Sequence, residues 1–303
     1  MLLLVCLNNR FQYMGHTEKF TPFGGEDVQE QDIDRSRIVV LPLCYENAPS
    51  YGRGSRNGPL HILNASSQLE RLDEETLSDW GAFNIHTMQP FYPSNDPKKA
   101  VLEMEKASAN ILSQNKFLLS LGGDHAISIG PIMAVANHVP DVGILQIDAH
   151  LDLRNEWNGS RYNHACVMRR VVEDMGLPAV HVGIRSFSPE EAVFAEKIAA
   201  RIFYAHRIKP TDDSWMEDVI DALPSKVYLT IDLDGLDPSV IPGTGTPEPG
   251  GLSYRQLVAL IKYVGWKRKV VAADINELVK INGSNVSEYT AAKIATKIFV
   301  YCT

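Results

Sequence analysis

Eight short apolar runs, most of them separated by helix-like segments, constrain the fold of this chain more than any other feature. Continuous apolar runs are typical of buried parallel strands, whose sheet is covered by helices on both faces. The alternation therefore predicts right-handed βαβ units. A closed barrel of eight strands fits the same count, so periodicity leaves both architectures open. The predicted strands are residues 37–44, 83–88, 116–123, 142–150, 179–184, 201–206, 226–234 and 269–278.

Helices are predicted where apolar residues recur at spacings of three and four. Three of these segments begin with a serine that can accept a hydrogen bond as the N-cap: Ser214, Ser253 and Ser287. The predicted helices are residues 96–114, 214–223, 253–264 and 287–301.

We expect a single α/β domain over residues 1–303. Its first part, residues 1–35, is expected to be an irregular N-terminal segment. The chain has 303 residues, 45% of them hydrophobic, which is enough for one substantial core. No internal repeat, low-complexity stretch or linker rich in proline and glycine divides it.

Composition excludes several classes of partner. The net charge of −8, without a basic stripe, argues against nucleic acid. No stretch approaches the roughly 20 apolar residues of a membrane span. The N-terminal "MLLLVCLNNR" lacks a basic region and a clear cleavage site, so we do not interpret it as a signal peptide. Four scattered cysteines, Cys6, Cys44, Cys166 and Cys302, predict free thiols in a reducing compartment, and therefore a cytoplasmic protein.

Polar clusters follow four of the predicted strands. They are "GGDH" at 122–125, "DAHLD" at 148–152, "DLDGLDP" at 232–238 and "DINE" at 274–277. In both candidate architectures, ligands bind at the carboxyl ends of parallel strands. These clusters are therefore the candidate functional site.

Charge crowding in these clusters predicts metal ions. In an extended "DAHLD", Asp148, His150 and Asp152 would point to one side. Carboxylates so close would repel each other unless a proton or a cation lay between them. With His125, Asp232 and Asp234, four aspartates and two histidines converge, and their charge of −4 matches two divalent cations. Oxygen donors with some imidazole favour Mn²⁺, with Ni²⁺, Co²⁺ and Zn²⁺ as alternatives.

Together, "GGDH", "DAHLD" and "IDLDGLDPSVIPGTGTPEPGG" resemble the ureohydrolase family, which includes arginase and agmatinase. The resemblance runs from about residue 37 to the C-terminus, and residues 50–66 are similar to the agmatinase branch. It implies a three-layer α/β/α fold with a central eight-stranded parallel sheet, not a barrel. It also implies a homo-oligomer, either a trimer or a hexamer.

The resemblance assigns the ligands of two manganese ions. The first ion would take His125, Asp148, Asp152 and Asp232, and the second His150, Asp148, Asp232 and Asp234. A hydroxide bridging the two ions would attack the guanidino carbon, giving urea and an amine. His164 matches the family's mobile proton shuttle. Glu277 matches the glutamate that orients the guanidinium through two parallel N–H bonds.

The segment after "DAHLD" bears on the substrate. It reads "LRNEWNGSRYNHA", lacks the serine- and threonine-rich run of arginases and resembles agmatinases. We therefore predict a small cationic guanidino substrate, with agmatine first, cleaved to putrescine and urea; Glu156 would tolerate its far amine. Asn276, however, replaces an apolar residue of the family motif, and "LVKINGSN" replaces a proline-containing continuation. Guanidinobutyrate, guanidinopropionate and arginine therefore remain alternatives.

Several nearby polar residues receive lesser roles. Asp124 and Asp237 are expected to be structural, and Asp274 to be structural or to support the ligands. Arg154, Thr246 and Glu248 are assigned no firm role. Two other classes of protein fit these motifs less well. A deacetylase of related fold needs one zinc and would leave half of these ligands unexplained. An inactive paralogue would normally have lost ligands.

Overall fold

The computed structural model describes residues 20–29, 31–209 and 211–303, and its centre is an eight-stranded sheet in which every pairing is parallel. The spatial order is β2-β1-β3-β8-β7-β4-β5-β6, so the sheet is open and the barrel alternative is wrong. The strands are β1 Ile38–Leu43, β2 Ile85–Thr87, β3 Phe117–Gly122, β4 Val142–Ile147, β5 Ala179–Ile184, β6 Arg201–Tyr204, β7 Lys226–Asp232 and β8 Lys269–Asn276.

Helices cover both faces of this sheet. The first layer contains α1 (Gly58–Ser66), α6 (Trp215–Ala222), α7 (Tyr254–Lys267) and α8 (Val286–Cys302). The second contains α2 (Pro97–Leu112), α3 (Ile129–His138), α4 (Val167–Arg169) with its π-helical continuation Arg170–Asp174, and α5 (Pro189–Lys197).

Alternate strand residues supply the two cores. In β1, Ile38 and Val40 face the first helical layer, whereas Val39 and Leu41 face the second. Because successive side chains of a strand point to opposite faces, a strand buried on both faces is apolar along most of its length. This confirms the predicted three-layer α/β/α fold.

The helix predictions were correct in position but not in every cap. Ser253 forms a capping box with Gln256, as its sequence suggests. Ser214 precedes α6, but its side chain makes no capping hydrogen bond. The prediction for Ser287 was wrong, because α8 already begins at Val286, and the Ser287 hydroxyl accepts a hydrogen bond from the backbone of a distant loop.

Four helices were not predicted: α1, α3, α4 and α5. Helix α3 is almost entirely apolar, so it lacks the polar face that produces a helical period. Helix α5 is short and begins with a capping box between Ser188 and Glu191. That Ser-x-x-Glu signal was available in the sequence.

The remaining general predictions concern the thiols, membrane and N-terminus. Cys44, Cys166 and Cys302 are free. Within the described ranges, no helix combines the length and apolarity needed to cross a bilayer. The stretch "MLLLVCLNNR", which we do not interpret as a signal peptide, lies outside the described residues. So do Cys6 and most of the segment 1–35. The described part of that segment contains two short 3₁₀ turns, Gly25–Asp27 and Ile33–Arg35.

A buried ion pair fastens α8 to the loop that follows α1. The Lys297 side chain is fully buried, and its Nζ lies 2.5 Å from Asp73 Oδ2 and 3.0 Å from Glu74 Oε1. Replacing Lys297 with methionine keeps the aliphatic volume but leaves a buried carboxylate without its partner. We expect the free energy of unfolding, measured by urea denaturation, to fall by about 3–5 kcal/mol.

Lys293 provides the matched control for this prediction. It lies one turn earlier on α8, and its Nζ is 3.7 Å from a Glu74 carboxylate that is 61% exposed. Lys293→Met should therefore cost less than about 1 kcal/mol, as exposed ion pairs do. Equal losses for the two variants would contradict the assigned importance of the buried pair.

Candidate metal centre and substrate cavity

Asp148 lies immediately after β4, and its carboxylate is held at both oxygens. Oδ1 accepts a 2.6 Å hydrogen bond from the backbone N–H of His150, and Oδ2 accepts a 2.8 Å bond from Gln146 Nε2. The strand ends at Ile147, and Asp152 has a left-handed φ of 52°. The predicted extension of this strand to residue 150 was therefore wrong. The three side chains converge through a tight turn, not through strand alternation.

A second turn places two more aspartates beside the first. Asp232 is the last residue of β7, and its Oδ1 accepts a 2.9 Å hydrogen bond from the backbone of Asp234 in the 3₁₀ turn Leu233–Gly235. The prediction of a strand continuing to residue 234 was therefore also wrong. Asp234 Oδ1 accepts a 3.1 Å bond from Ala149 N, joining motifs 85 residues apart. Because β4 and β7 are neighbours in the sheet, their carboxyl ends meet at one edge.

His125 enters from the turn after β3, two strands away from β7. Its Nδ1 lies 3.1 Å from Asp148 Oδ2, 2.9 Å from Asp152 Oδ2 and 3.6 Å from Asp232 Oδ2. Its Nε2 lies 2.8 Å from Thr230 Oγ1. The Thr230 hydroxyl donates its only proton to Asp274, so it can only accept from His125 Nε2–H. In the neutral ring, Nδ1 therefore aims a lone pair at three carboxylates, which suits a cation.

The donor atoms form two groups that share Asp148. His125, Asp148 and Asp152 make one group, and Asp148, His150 and Asp234 make the other, with all donor atoms of each group within 4.8 Å of one another. His150 Nδ1 lies 3.1 Å from Asp234 Oδ2. The six candidate ligands are thus brought together, with Asp232 beside the first group.

Electrostatics favour positive charge in this cluster. Burial would lower the pKa of His150, but the carboxylates of Asp234 and Asp148 raise it to about 12. Burial and the charges of Asp234 and Asp148 hold the pKa of Asp232 well above its ordinary value. The cluster attracts protons because its negative charge is uncompensated, and two divalent cations would supply the same compensation. The residues therefore fit a binuclear metal site.

A cavity of about 300 Å³ opens above the cluster, and both remaining candidate residues line it. Glu277 follows β8 with a left-handed φ of 67°, and its Oε1 accepts a 2.8 Å hydrogen bond from His125 N. Burial, together with the charge of Asp124, raises the pKa of Glu277 well above its usual range. A carboxylate in that environment would gain from a cationic partner.

His164 also lines the cavity. Its Nε2 is 2.9 Å from Ser50 Oγ. Burial, reinforced by the positive charges of His125 and His150, lowers the pKa of His164 to about 4. The ring is therefore neutral near pH 7 and able to accept a proton.

Asn276 does not face the substrate cavity. Its Nδ2 donates to Asp274 Oδ1 (2.7 Å) and to Ser128 Oγ (3.1 Å) beneath the site. Asp274 also accepts hydrogen bonds from Tyr228 and Thr230, so it supports His125 through Thr230. Asn276, which replaces an apolar residue of the family motif, therefore belongs to a buried polar network beneath the site. Its presence is thus a weak argument against agmatine as the substrate.

The other aspartates hold loops. Asp124 Oδ2 accepts a 2.7 Å hydrogen bond from Asn47 N, and burial raises the pKa of Asp124 to about 7. Asp237 accepts hydrogen bonds from the backbones of Ser239, Gly250 and Gly251. The Ser239 side chain, together with these backbone groups, lowers the pKa of Asp237 to about 2.

The residues around the cavity mouth differ in part from expectation. Glu156 is exposed and lies outside the cavity lining, whereas Glu191 lines it. Arg154 lies 4.2 Å above the Trp157 ring and 3.7 Å from Glu191. The hydroxyl of Thr246, left without a role by the sequence, donates to Asp234 Oδ2 at 3.0 Å.

Sequence reasoning gave no individual role to several residues that support or line the site. Two of them, Gln146 and Thr230, are polar residues within buried strands, and that conflict was a usable signal. Others lie in loops, where Ser50, Tyr51 and Trp157 fall within the stretches that resemble agmatinases. The missed residues include Ser50, Tyr51, Gln146, Trp157, Phe187, Glu191 and Thr230.

The chain is similar to known proteins over most of its length. Residues 36–300 match the model of the Arginase family. The chain is 38% identical over 272 residues to an N(1)-aminopropylagmatine ureohydrolase of Synechocystis sp., covering 87% of this chain and 88% of the relative. It is 32% identical over 271 residues to an agmatinase of Pyrococcus horikoshii, covering 87% and 91%. The crystal structure of agmatine ureohydrolase of Thermoplasma volcanium superposes with a TM-score of 0.81 at 30% identity, covering 89% and 91%.

Proposed function

Because the chain belongs to the arginase family, and within it to the agmatinase branch, we propose that it cleaves a small cationic guanidino compound to urea and an amine. One observation carries the proposal: two groups of metal-type donors share Asp148 at the floor of a cavity lined by Glu277 and His164. A one-zinc deacetylase would leave one of these groups without a role.

The proposed ligands are those implied by the sequence. His125, Asp148, Asp152 and Asp232 would hold one ion, and His150, Asp148, Asp232 and Asp234 the other. Two such ions lower the pKa of bound water and so provide a nucleophile at neutral pH. Manganese is the proposed metal, because carboxylate oxygens with some imidazole suit it.

Glu277 is proposed to bind and orient the guanidinium. A carboxylate accepts parallel N–H bonds from the planar group, and this pairing fixes which face is presented to the metal cluster. Its Oε1 is already held by His125 N, which sets the carboxylate at a defined height above the ligands. The raised pKa of Glu277 supports a cationic partner for this carboxylate.

His164 is proposed to deliver a proton to the leaving nitrogen. Its low pKa keeps the ring neutral, so it must first take the proton that the attacking water loses. Transfer to the amine then balances the reaction, in which a guanidinium and water give urea and an ammonium.

Agmatine remains the first proposed substrate, and its N(1)-aminopropyl derivative is the second. The second candidate is supported by the Synechocystis relative and by the cavity mouth, where Tyr51, Trp157 and Phe187 line the opening. Aromatic faces attract alkylammonium groups, so a longer cationic chain has a place to bind. The proposed setting is a cytoplasmic homotrimer or homohexamer, as the resemblance and the free thiols suggest.

A substrate panel with metal analysis tests this function. The metal-loaded protein is assayed for urea release from agmatine, N(1)-aminopropylagmatine, guanidinobutyrate, guanidinopropionate and arginine, and metal is counted by mass spectrometry. We expect about two ions per chain, and a kcat/KM for one of the two amines that exceeds that for arginine by about tenfold or more. Preference for arginine would overturn the substrate proposal. One ion per chain without urea release would favour a deacetylase. A protein that neither binds metal nor turns over any of these compounds would be an inactive paralogue.

A further inference from the structure

We propose that Ser50 is a positioning residue that fixes the ring of His164, an inference that rests on the proposed proton-transfer role of His164. The two residues lie 114 positions apart, and Ser50 Oγ is 2.9 Å from His164 Nε2. The hydrogen bond ties a loop from the first quarter of the chain to the side chain proposed to carry the proton, and both residues line the cavity.

The loop that carries Ser50 is itself fixed on both sides. Before Ser50, the backbone N–H of Asn47 donates to Asp124 Oδ2 at 2.7 Å, next to the candidate ligand His125. After Ser50, Gly52 N donates to Gly245 O at 2.9 Å across the cavity. A Cβ on Gly52 would lie 2.8 Å from that same carbonyl oxygen, so the approach requires glycine. Ser50 is therefore presented from a braced loop, although it is exposed.

His164 depends on this contact because its other nitrogen has no partner. Nδ1 is buried and makes no hydrogen bond within the described part of the chain. The backbone at His164 is set by Asn163, whose side chain accepts from Ala165 N at 3.0 Å. That bond does not constrain rotation of the imidazole about its Cβ–Cγ bond. Among the described residues, Ser50 thus provides the polar side-chain contact that holds the orientation of the His164 ring.

A general acid transfers its proton only when the correct nitrogen faces the acceptor at hydrogen-bond distance. Loss of the Ser50 hydroxyl would let the neutral ring rotate and exchange tautomers, so that only a fraction of His164 is competent at any time. The binding of the guanidinium by Glu277 and of metal by the aspartates would be unaffected. The effect should therefore fall on kcat and leave KM unchanged.

Steady-state kinetics on agmatine and N(1)-aminopropylagmatine test the positioning role. Ser50→Ala is expected to lower kcat about tenfold, part of the roughly 10²–10⁴-fold that a positioned general acid supplies, with unchanged KM and metal content. Ser50→Thr retains the hydroxyl and should restore kcat to within about twofold. In a His164→Asn background, Ser50→Ala should have no further effect. Ser113→Ala is the matched control, since Ser113 is exposed and hydrogen-bonds only near the end of α2.

Nitrogen-15 NMR of histidine-labelled, Zn²⁺-loaded protein gives a readout independent of activity. The His164 signals are assigned by their loss in His164→Asn. We expect a single tautomer in the unaltered chain and averaged ring shifts in Ser50→Ala. Identical ring shifts in the two proteins, or an equal loss of kcat in the presence and absence of His164, would overturn the inference. Averaged shifts without urea release from any guanidino compound would support the Ser50 contact while rejecting the proposed function.

Discussion

Replacing Asp148 with asparagine is expected to abolish urea release, with kcat/KM falling by about 10³-fold or more, as when one member of a catalytic unit is removed. Asp148 is the residue shared by both groups of donor atoms, so one substitution weakens both sites. Asparagine keeps the shape and can still accept the hydrogen bond from His150 N, so the turn should persist. Metal content should fall from about two ions per chain to one or fewer.

Asp212→Asn is the matched control for this substitution. Asp212 is fully exposed, and its carboxylate accepts hydrogen bonds from the side chain and the backbone of Ser214 at a helix start. The control should retain full activity and metal content. Circular dichroism would check that the fold of Asp148→Asn is intact. If it is, near-normal urea release with both ions bound would contradict the assignment of Asp148 as a shared ligand.

Replacing Glu277 with glutamine should reduce kcat/KM by about 10²–10³-fold, or about 3–4 kcal/mol, which is the size expected for breaking a buried charged pair. The glutamine carbonyl can still accept from His125 N, so the local fold and the metal content should be retained. The loss removes the negative charge that binds the guanidinium, and it should therefore affect KM as well as kcat. Initial rates over a range of substrate concentrations separate the two.

Glu248→Gln serves as the control for Glu277→Gln. Glu248 belongs to the loop near the site but lies outside the cavity lining, and its contact with Arg185 is made through its backbone carbonyl. The control should change kcat/KM by less than about twofold, since its charge does not reach the substrate. If both variants lost activity equally, the general acidity of the region, and not a specific carboxylate–guanidinium pair, would explain the effect.

The candidate site was largely visible in the sequence because its residue types are unusual at strand ends. Asp148, His150 and Asp152 occur within five positions, and Asp232 and Asp234 within three. The prediction of a metal site from these residue types did not depend on backbone conformation. The prediction that the side chains converge because the segment is extended did depend on it, and that prediction was wrong. The strand ends at Ile147 and the chain turns, and Asp152 adopts a left-handed conformation.

Support residues were harder to predict because their partners are remote. Thr230 in β7 fixes the ring of His125, which follows β3, and Gln146 holds Asp148 while contacting His181 in β5. Each is an isolated polar residue in an apolar run. The sequence could reveal that such a residue needs a partner, but the partner lies on another strand.

The sequence by itself determined the eight strands and the residue types of the six candidate ligands, because apolar period and residue chemistry are local properties. The three-layer class and a shared Asp148 were implied by the family resemblance. Tertiary structure decided between an open sheet and a barrel, which strands are neighbours, that the donor atoms of both groups lie together, and that Ser50 meets His164 across 114 positions. These outcomes depend on how two helical layers pack against one sheet. That packing is the sum of many weak contacts between distant segments, and no short stretch of the chain encodes it.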